Sequence, residues 1–351
     1  VIDLTQQGDV LTAALVDMPS PSGGETRLAD EVETQLRAHP HLSVDRDGDA
    51  VMARTSRGAS ERVIIAGHLD TVPIADNLPS RREGDRLYGC GTSDMKAGVA
   101  VMLRLAATVT EPRTDVTWLF YDNEETDAAH NGLGRVLRNE PGWLKGDLAV
   151  LMEPTANRVE AGCQGTLRVL VVSTGKRAHS ARSWLGNNAI HAAGEVLNRL
   201  AAYEPRQVTI DGCEYREGLN AVRIEGGVSG NVVPDRCTIA VNHRFAPDRT
   251  EEEALAHVQE LLAPFECVLT DSAPAAPPRL REPAAAHFLE AMGGSPHAKL
   301  GWTDVARFAA LGIPAVNFGP GDPNLAHSRE EYVEVPLIAE CERMLRGYLT
   351  G

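Results

Sequence analysis

Residues 62–70 read RVIIAGHLD, a short apolar run that ends in a histidine and, two positions on, an aspartate. So short and uniform a run does not alternate. It suits a strand buried on both faces, as in parallel sheets whose crossover helices cover each side. The same form recurs at 115–120 (DVTWLF), 147–152 (DLAVLM) and 313–318 (IPAVNF). Between and after these lie helix-length stretches: MKAGVAVMLRLAATV at 95–109, NGLGRVLRNEP at 131–141, VARFAAL at 305–311 and LIAECERMLRGYL at 337–349. Strands alternating with helices predict an α/β domain with a mostly parallel sheet flanked by helices.

The middle of the chain has a different rhythm. GTLRVLVVSTG (165–175) is a longer, alternating strand, followed by a helix over 187–201. AVRIEGG and RCTIAVNHRF read as two strands, EEEALAHVQELLAPF as a helix and ECVLT as a last strand. The order β-α-β-β-α-β is the ferredoxin-like arrangement. SAPAAPP (272–278) has the composition of a return linker. The sequence therefore predicts a domain formed by residues 1–161 and 276–351, interrupted by an inserted ferredoxin-like domain at 162–275.

At 351 residues and 43 % hydrophobic, the chain can bury a full core in two domains. A net charge of −15 speaks against a nucleic-acid backbone or an anionic membrane surface as the main partner. A small anionic substrate is still admissible, because local Arg and His decide its binding. Six cysteines without C-x-x-C spacing argue against both a disulfide framework and a cysteine zinc site. Cys90 and Cys163 have no base paired to them in sequence and read as structural. No stretch approaches the ~18–20 apolar residues of a membrane span, and the start of the chain lacks a basic leader segment. A cytoplasmic protein is expected.

Polar residues follow every flanking strand. His68 and Asp70 come after the first, Glu124 and Glu125 (in YDNEET) after the second, and Glu153 after the third. His327 lies in the Gly/Pro-rich loop after the fourth. Asp94, in GCGTSDMK, stands before a helix, where free backbone N–H groups favour a carboxylate. Each has a plain reading alone: a buried histidine, a solvated turn, an N-cap, an ordinary loop residue. Together they fall on one rim, beyond the carboxyl ends of the strands, where open α/β sheets bind ligands. Two His and several Asp/Glu suit a borderline divalent ion such as Zn²⁺, Co²⁺ or Mn²⁺. They are too many for one catalytic ion and enough for two that share a carboxylate and a water. One glutamate of the adjacent pair would then be a ligand and the other the base for that water.

The pieces AGHLDTVP (66–73), GCGTSDMKAGVAVML (89–103), DNEE (122–125), MEPT (152–155), GKRAHSARSWLGNNAI (175–190), NVVPD (231–235), TDVARF (303–308) and AHS (326–328) span nearly the whole chain. Their sequence and order resemble the M20 family of two-metal aminoacylases and peptidases. The resemblance implies His68 and Glu153 on one metal, Glu125 and His327 on the other, and Asp94 bridging. It implies Glu124 as general base and Asp70 as the group that orients His68. The insertion would be a lid and dimerisation domain that closes about a hinge. Its His179 would reach the partner subunit's site to steady an oxyanion, and Arg182, Asn231, Arg244 and Thr303 would line the substrate pocket. The implied cofactors are two divalent ions per subunit, Zn²⁺ or Co²⁺, and the implied assembly is a homodimer.

Within the family, the segments AHSARSWLGNNAI and NGLGR resemble the branch that cleaves N-succinyl-LL-2,6-diaminopimelate to succinate and LL-2,6-diaminopimelate. Arg244, Arg182 and Lys176 or Arg177 would supply positive charge for such an anion. The alternatives are another amidohydrolase of the family (an N-acetylornithine deacetylase, an aminoacylase or a dipeptidase) and, more remotely, a non-catalytic metal-binding dimer.

Overall fold

A computed structural model of the protein describes residues 2–351. The chain divides into two compact units. One comprises the chain up to Ala161 with Pro278–His297 and Arg307–Gly351; the other comprises Gly162–Pro277 with Ala298–Ala306. The second unit thus takes in 298–306, which the sequence reading left with the flanks.

The first unit is built on an eight-stranded sheet. Its order is Ser43–Asp47, Ala50–Arg54, Asp115–Tyr121, Arg62–His68, Leu148–Leu151, Ala315–Asn317, Glu160–Ala161 and His297–Ala298. Arg62–His68 runs parallel to both neighbours, and Ala315–Asn317 runs parallel to Leu148–Leu151. Antiparallel strands extend this parallel centre on either side. The hairpin Ser43–Arg54 escaped the sequence reading because SVDRD is never fully buried and reads as a polar loop. Every residue of Asp115–Tyr121 is buried, and six of seven in Arg62–His68, which is why neither run alternates. Helix Ala97–Thr108 packs on both strands and on helices Gly8–Val16 and Val335–Thr350. Ten of its twelve residues are buried, as befits a helix apolar nearly all round. Each fully buried Val, Leu or Met contributes about 1.5–3 kcal/mol.

The second unit has a four-stranded antiparallel sheet in the order Gly218–Gly226, Arg236–Phe245, Gly165–Thr174, Glu266–Ala273. Helices Ala189–Ala201 and Glu251–Leu262 bury Leu167, Val169, Val171, Ile239 and Val241 of that sheet. Thr250 and Glu253 close a reciprocal cap at the start of the second helix. A further hairpin, Gln207–Ile210 with Cys213–Arg216, was not read from the sequence. Its signal was present: Asp211 and Gly212 both adopt positive φ, as a two-residue hairpin turn requires.

Candidate active site

His68, Asp70, Glu124, Glu125 and Glu153 lie at the carboxyl ends of the first unit's parallel strands, and Asp94 and His327 approach them from a turn and a loop. His68 is the last residue of Arg62–His68. Glu124 and Glu125 follow Asp115–Tyr121 by three and four residues, and Glu153 follows Leu148–Leu151 by two. After Tyr121 the chain turns through Asn123 at φ 56°. The turn is held on one side by Arg135, which binds the Asp122 carboxylate through two nitrogens, and on the other by Glu25, which accepts the Asn123 N–H.

This turn explains the adjacent glutamates. The buried carboxylate of Asp70 accepts the Glu124 N–H with Oδ1 and the Glu125 N–H with Oδ2, both at 3.0 Å, and also the Ser22 hydroxyl at 2.8 Å. One carboxylate therefore fixes the backbone of both residues. Nδ1 of His68 lies 3.0 Å from the Asp70 carbonyl oxygen and 3.4 Å from Oδ1, so the nearer partner is the main chain. Burial opposes ionisation of Asp70, but His68 and the two N–H groups hold its pKa below the usual carboxylate range.

Asp94 departs from its plain reading as an N-cap. It does not cap the helix, which begins at Ala97 after Lys96. It sits in the wide turn Thr92–Lys96 with extended φ/ψ of −123° and 93°. The free N–H groups of this turn are accepted by Glu331, so the Asp94 carboxylate is left to face the histidines. Its oxygens lie 3.1 Å from His68 Nε2 and 3.4 Å from His327 Nε2. Nε2 of His327 is also 2.8 Å from Glu125 Oε1. Glu153 is positioned by close backbone contact. A Cβ on Gly98 would lie 2.5 Å from the Met152 carbonyl oxygen, and one on Gly319 would lie 2.3 Å from it.

Two sets of ligand atoms, His68–Asp94–Glu153 and Asp94–Glu125–His327, each gather within 4.8 Å and share Asp94; His68–Glu124–Glu125 forms a third. Hydrogen bonds to Asp94 and Glu125 push the His327 pKa up to about 10. Burial acts against charge on His68, yet Asp70 and Asp94 raise its pKa well above the ordinary value. Asp94 shifts downward, burial being outweighed by the two histidines. Imidazoles that hold protons this firmly report an excess of carboxylate charge, which divalent cations relieve. With nitrogen and oxygen donors only, the residues fit a two-metal site.

The other candidates belong to the second unit. His179 is exposed on a short ribbon with Val232, and the Ser180 N–H bonds the Asn231 carbonyl. Its Nδ1 accepts the Ala181 N–H at 3.0 Å, which leaves the ring proton of the neutral form on Nε2. Arg182 and Asn231 are exposed, Arg244 is half-buried, and Thr303 is buried. Arg177 is engaged by Asp235. Cys90 and Cys163 are buried, their thiols facing the Val72 and Thr303 carbonyls; burial raises both pKa values, that of Cys163 to about 11. Sequence reasoning missed Ser22, Glu25 and Glu331. The signals were the turn-forming PSPSGGET (19–26) and the second acidic residue after AHSR.

An α/β sheet that brings two imidazoles and a ring of carboxylates to one rim defines a metal-dependent hydrolase. Residues 64–350 match the model of peptidase family M20/M25/M40, and the chain belongs to that family, as a metal-dependent amidohydrolase. It is 49 % identical to a succinyl-diaminopimelate desuccinylase of Corynebacterium glutamicum, over 99 % of this chain and 98 % of that one. It is 58 % identical, over the whole of both chains, to a Mycobacterium tuberculosis protein provisionally given the same name. Its fold is like that of a Staphylococcus aureus tripeptidase of known structure: TM-score 0.80 at 18 % identity, over 99 % of this chain and 98 % of that one.

Proposed function

We propose that the protein hydrolyses N-succinyl-LL-2,6-diaminopimelate to succinate and LL-2,6-diaminopimelate. The observation that carries this reading is the near-complete, 49 % identical match to the Corynebacterium glutamicum desuccinylase. His68 and Glu153 would hold one cation, Glu125 and His327 the other, and Asp94 both; Zn²⁺ suits these donors, as does Co²⁺. Bound there, the cations supply a water acidified for attack and a Lewis acid for the amide carbonyl. Glu124, whose backbone Asp70 fixes, takes the proton from the attacking water and returns it to the departing amine as the C–N bond breaks. In the homodimer, His179 would offer its Nε2–H to the oxyanion in the partner subunit's site. Arg182, Asn231, Arg244 and Thr303 are the substrate-binding residues of this scheme. Arginine is suited to a succinyl carboxylate because its planar fork engages both oxygens.

The second unit is read as a ferredoxin-like lid and dimerisation domain. Its strand order and two helices support that reading, as does the edge strand Gly218–Gly226, whose residues from Asn220 onward are exposed. Among the described residues, no helix is long and apolar enough to cross a membrane. Six unpaired cysteines accord with a cytoplasmic enzyme. The test is kcat/KM for the succinylated substrate beside N-acetylornithine and a dipeptide, all with the reconstituted metal protein. A preference of at least 100-fold for the succinylated substrate is expected. A preference for either of the others would overturn the assignment.

A further inference from the structure

Glu331 is 2 % exposed and belongs to none of the three ligand sets, yet its carboxylate accepts three backbone N–H groups beside Asp94. Its Oε1 accepts the N–H of Ser93 at 2.8 Å and of Asp94 at 3.0 Å, and its Oε2 accepts the N–H of Gly91 at 2.9 Å. Its carbonyl oxygen accepts the Gly89 N–H at 3.1 Å. Four hydrogen bonds thus tie the turn that carries Asp94 to a residue four positions beyond His327. The two segments meet again where the Ser93 hydroxyl donates to the Asp322 carbonyl at 3.0 Å. Gly321 lies so close that a Cβ there would fall 2.2 Å from the Ser93 carbonyl oxygen.

We infer that Glu331 is a positioning residue for the metal site: by pinning the turn at 91–94 to the segment at 321–331, it sets the Asp94 carboxylate at the point shared by both cations. The inference rests on the two-metal reading above. A carboxylate is the right group for the task because it offers only acceptors to three converging N–H donors. Glutamine would turn an NH₂ towards at least one of them. Aspartate would keep the charge but lose a methylene of reach, roughly 1.5 Å. Since Asp94 stands between His68 and His327, a turn released by either change moves the shared ligand relative to both.

The test is to strip the protein of metal and titrate it with Co²⁺, followed by visible absorption, and with Zn²⁺ by calorimetry. The wild type should bind two ions. E331Q should bind the second about 10–100-fold more weakly, as lost outer contacts to ligands do. At saturating metal, kcat should fall with KM little changed. E331D should not restore the affinity. Affinities in E331Q within threefold of wild type, or full rescue by E331D, would overturn the inference while leaving the two-metal reading intact. A wild type that takes up fewer than two ions would overturn that reading itself, and the inference with it. Should E331Q not fold, S93A loosens the same turn from its other side. It should weaken the second ion about 3–10-fold, and unchanged affinity there would count against the inference.

Discussion

Asp70→Asn tests whether one carboxylate positions both glutamates. The Asp70 oxygens each accept a backbone N–H, from Glu124 and from Glu125 at 3.0 Å, and Oδ2 also takes the Ser22 hydroxyl. Asparagine keeps the shape but only one of its two polar atoms can accept. Its NH₂ must face either the Glu124 or the Glu125 N–H, and one charge-assisted bond becomes a donor–donor clash. A hydrogen bond to a charged group is worth about 1.5–3 kcal/mol. If that loss falls on the transition state, at 1.36 kcal/mol per factor of ten, kcat/KM should drop roughly 10–150-fold. The His68 ring keeps its nearer partner, the Asp70 carbonyl, so the first cation should still bind. The assay is steady-state hydrolysis at saturating metal, with metal content and thermal unfolding measured on the same preparation. A D70N enzyme within threefold of wild type, with two ions bound, would refute the claim that Asp70 positions the pair.

Four further outcomes follow. Gly98→Ala places a methyl 2.5 Å from the Met152 carbonyl beside Glu153; it should cost about 1–3 kcal/mol in urea unfolding and weaken metal binding, and a neutral result would contradict the clamp. His243 is fully buried, and burial depresses its pKa to about 4, so its contribution is fully present above pH ~6.5 and lost as the pH falls through about 4. The unfolded chain binds the extra proton in that window, so stability should fall by about 3 kcal/mol between the two values, and H243L should flatten that slope. Chelation should abolish hydrolysis, and Zn²⁺ or Co²⁺, not Mg²⁺, should restore it. Because His327 keeps its proton up to about pH 10 in the metal-free site, metal binding at pH 7.5 should release about one to two protons. Calorimetry in buffers of different ionisation enthalpy would measure that release.

The parallel centre of the sheet was legible because full burial removes alternation, and RVIIAG and DVTWLF carry that mark in their composition. What escaped were elements whose burial is partial or whose partners are distant. Ser43–Asp47 is never fully buried and carries three charged side chains, two with ion-pair partners outside the strand, so it reads as a loop until paired with Ala50–Arg54. The candidate site was legible as a set of residue types after strand ends. Its inner supports were not: Glu25 lies 98 positions from Asn123, and Glu331 lies 237 from Asp94. Nothing local distinguishes such a carboxylate from a solvated one. The plain reading of Asp94 as an N-cap failed for a related reason. The free N–H groups near the helix start invite a local cap, but Glu331 from the far end of the chain accepts them instead.

The central claim is the division of labour between Glu124 and Glu125, and Glu124→Gln tests it most directly. Metal-reconstituted E124Q should still bind two ions and should lose at least 100-fold in kcat on N-succinyl-LL-2,6-diaminopimelate, the lower end of what general acid–base catalysis contributes. Two ions bound with undiminished hydrolysis would show that Glu124 is not the base, and the account of the pair would be wrong.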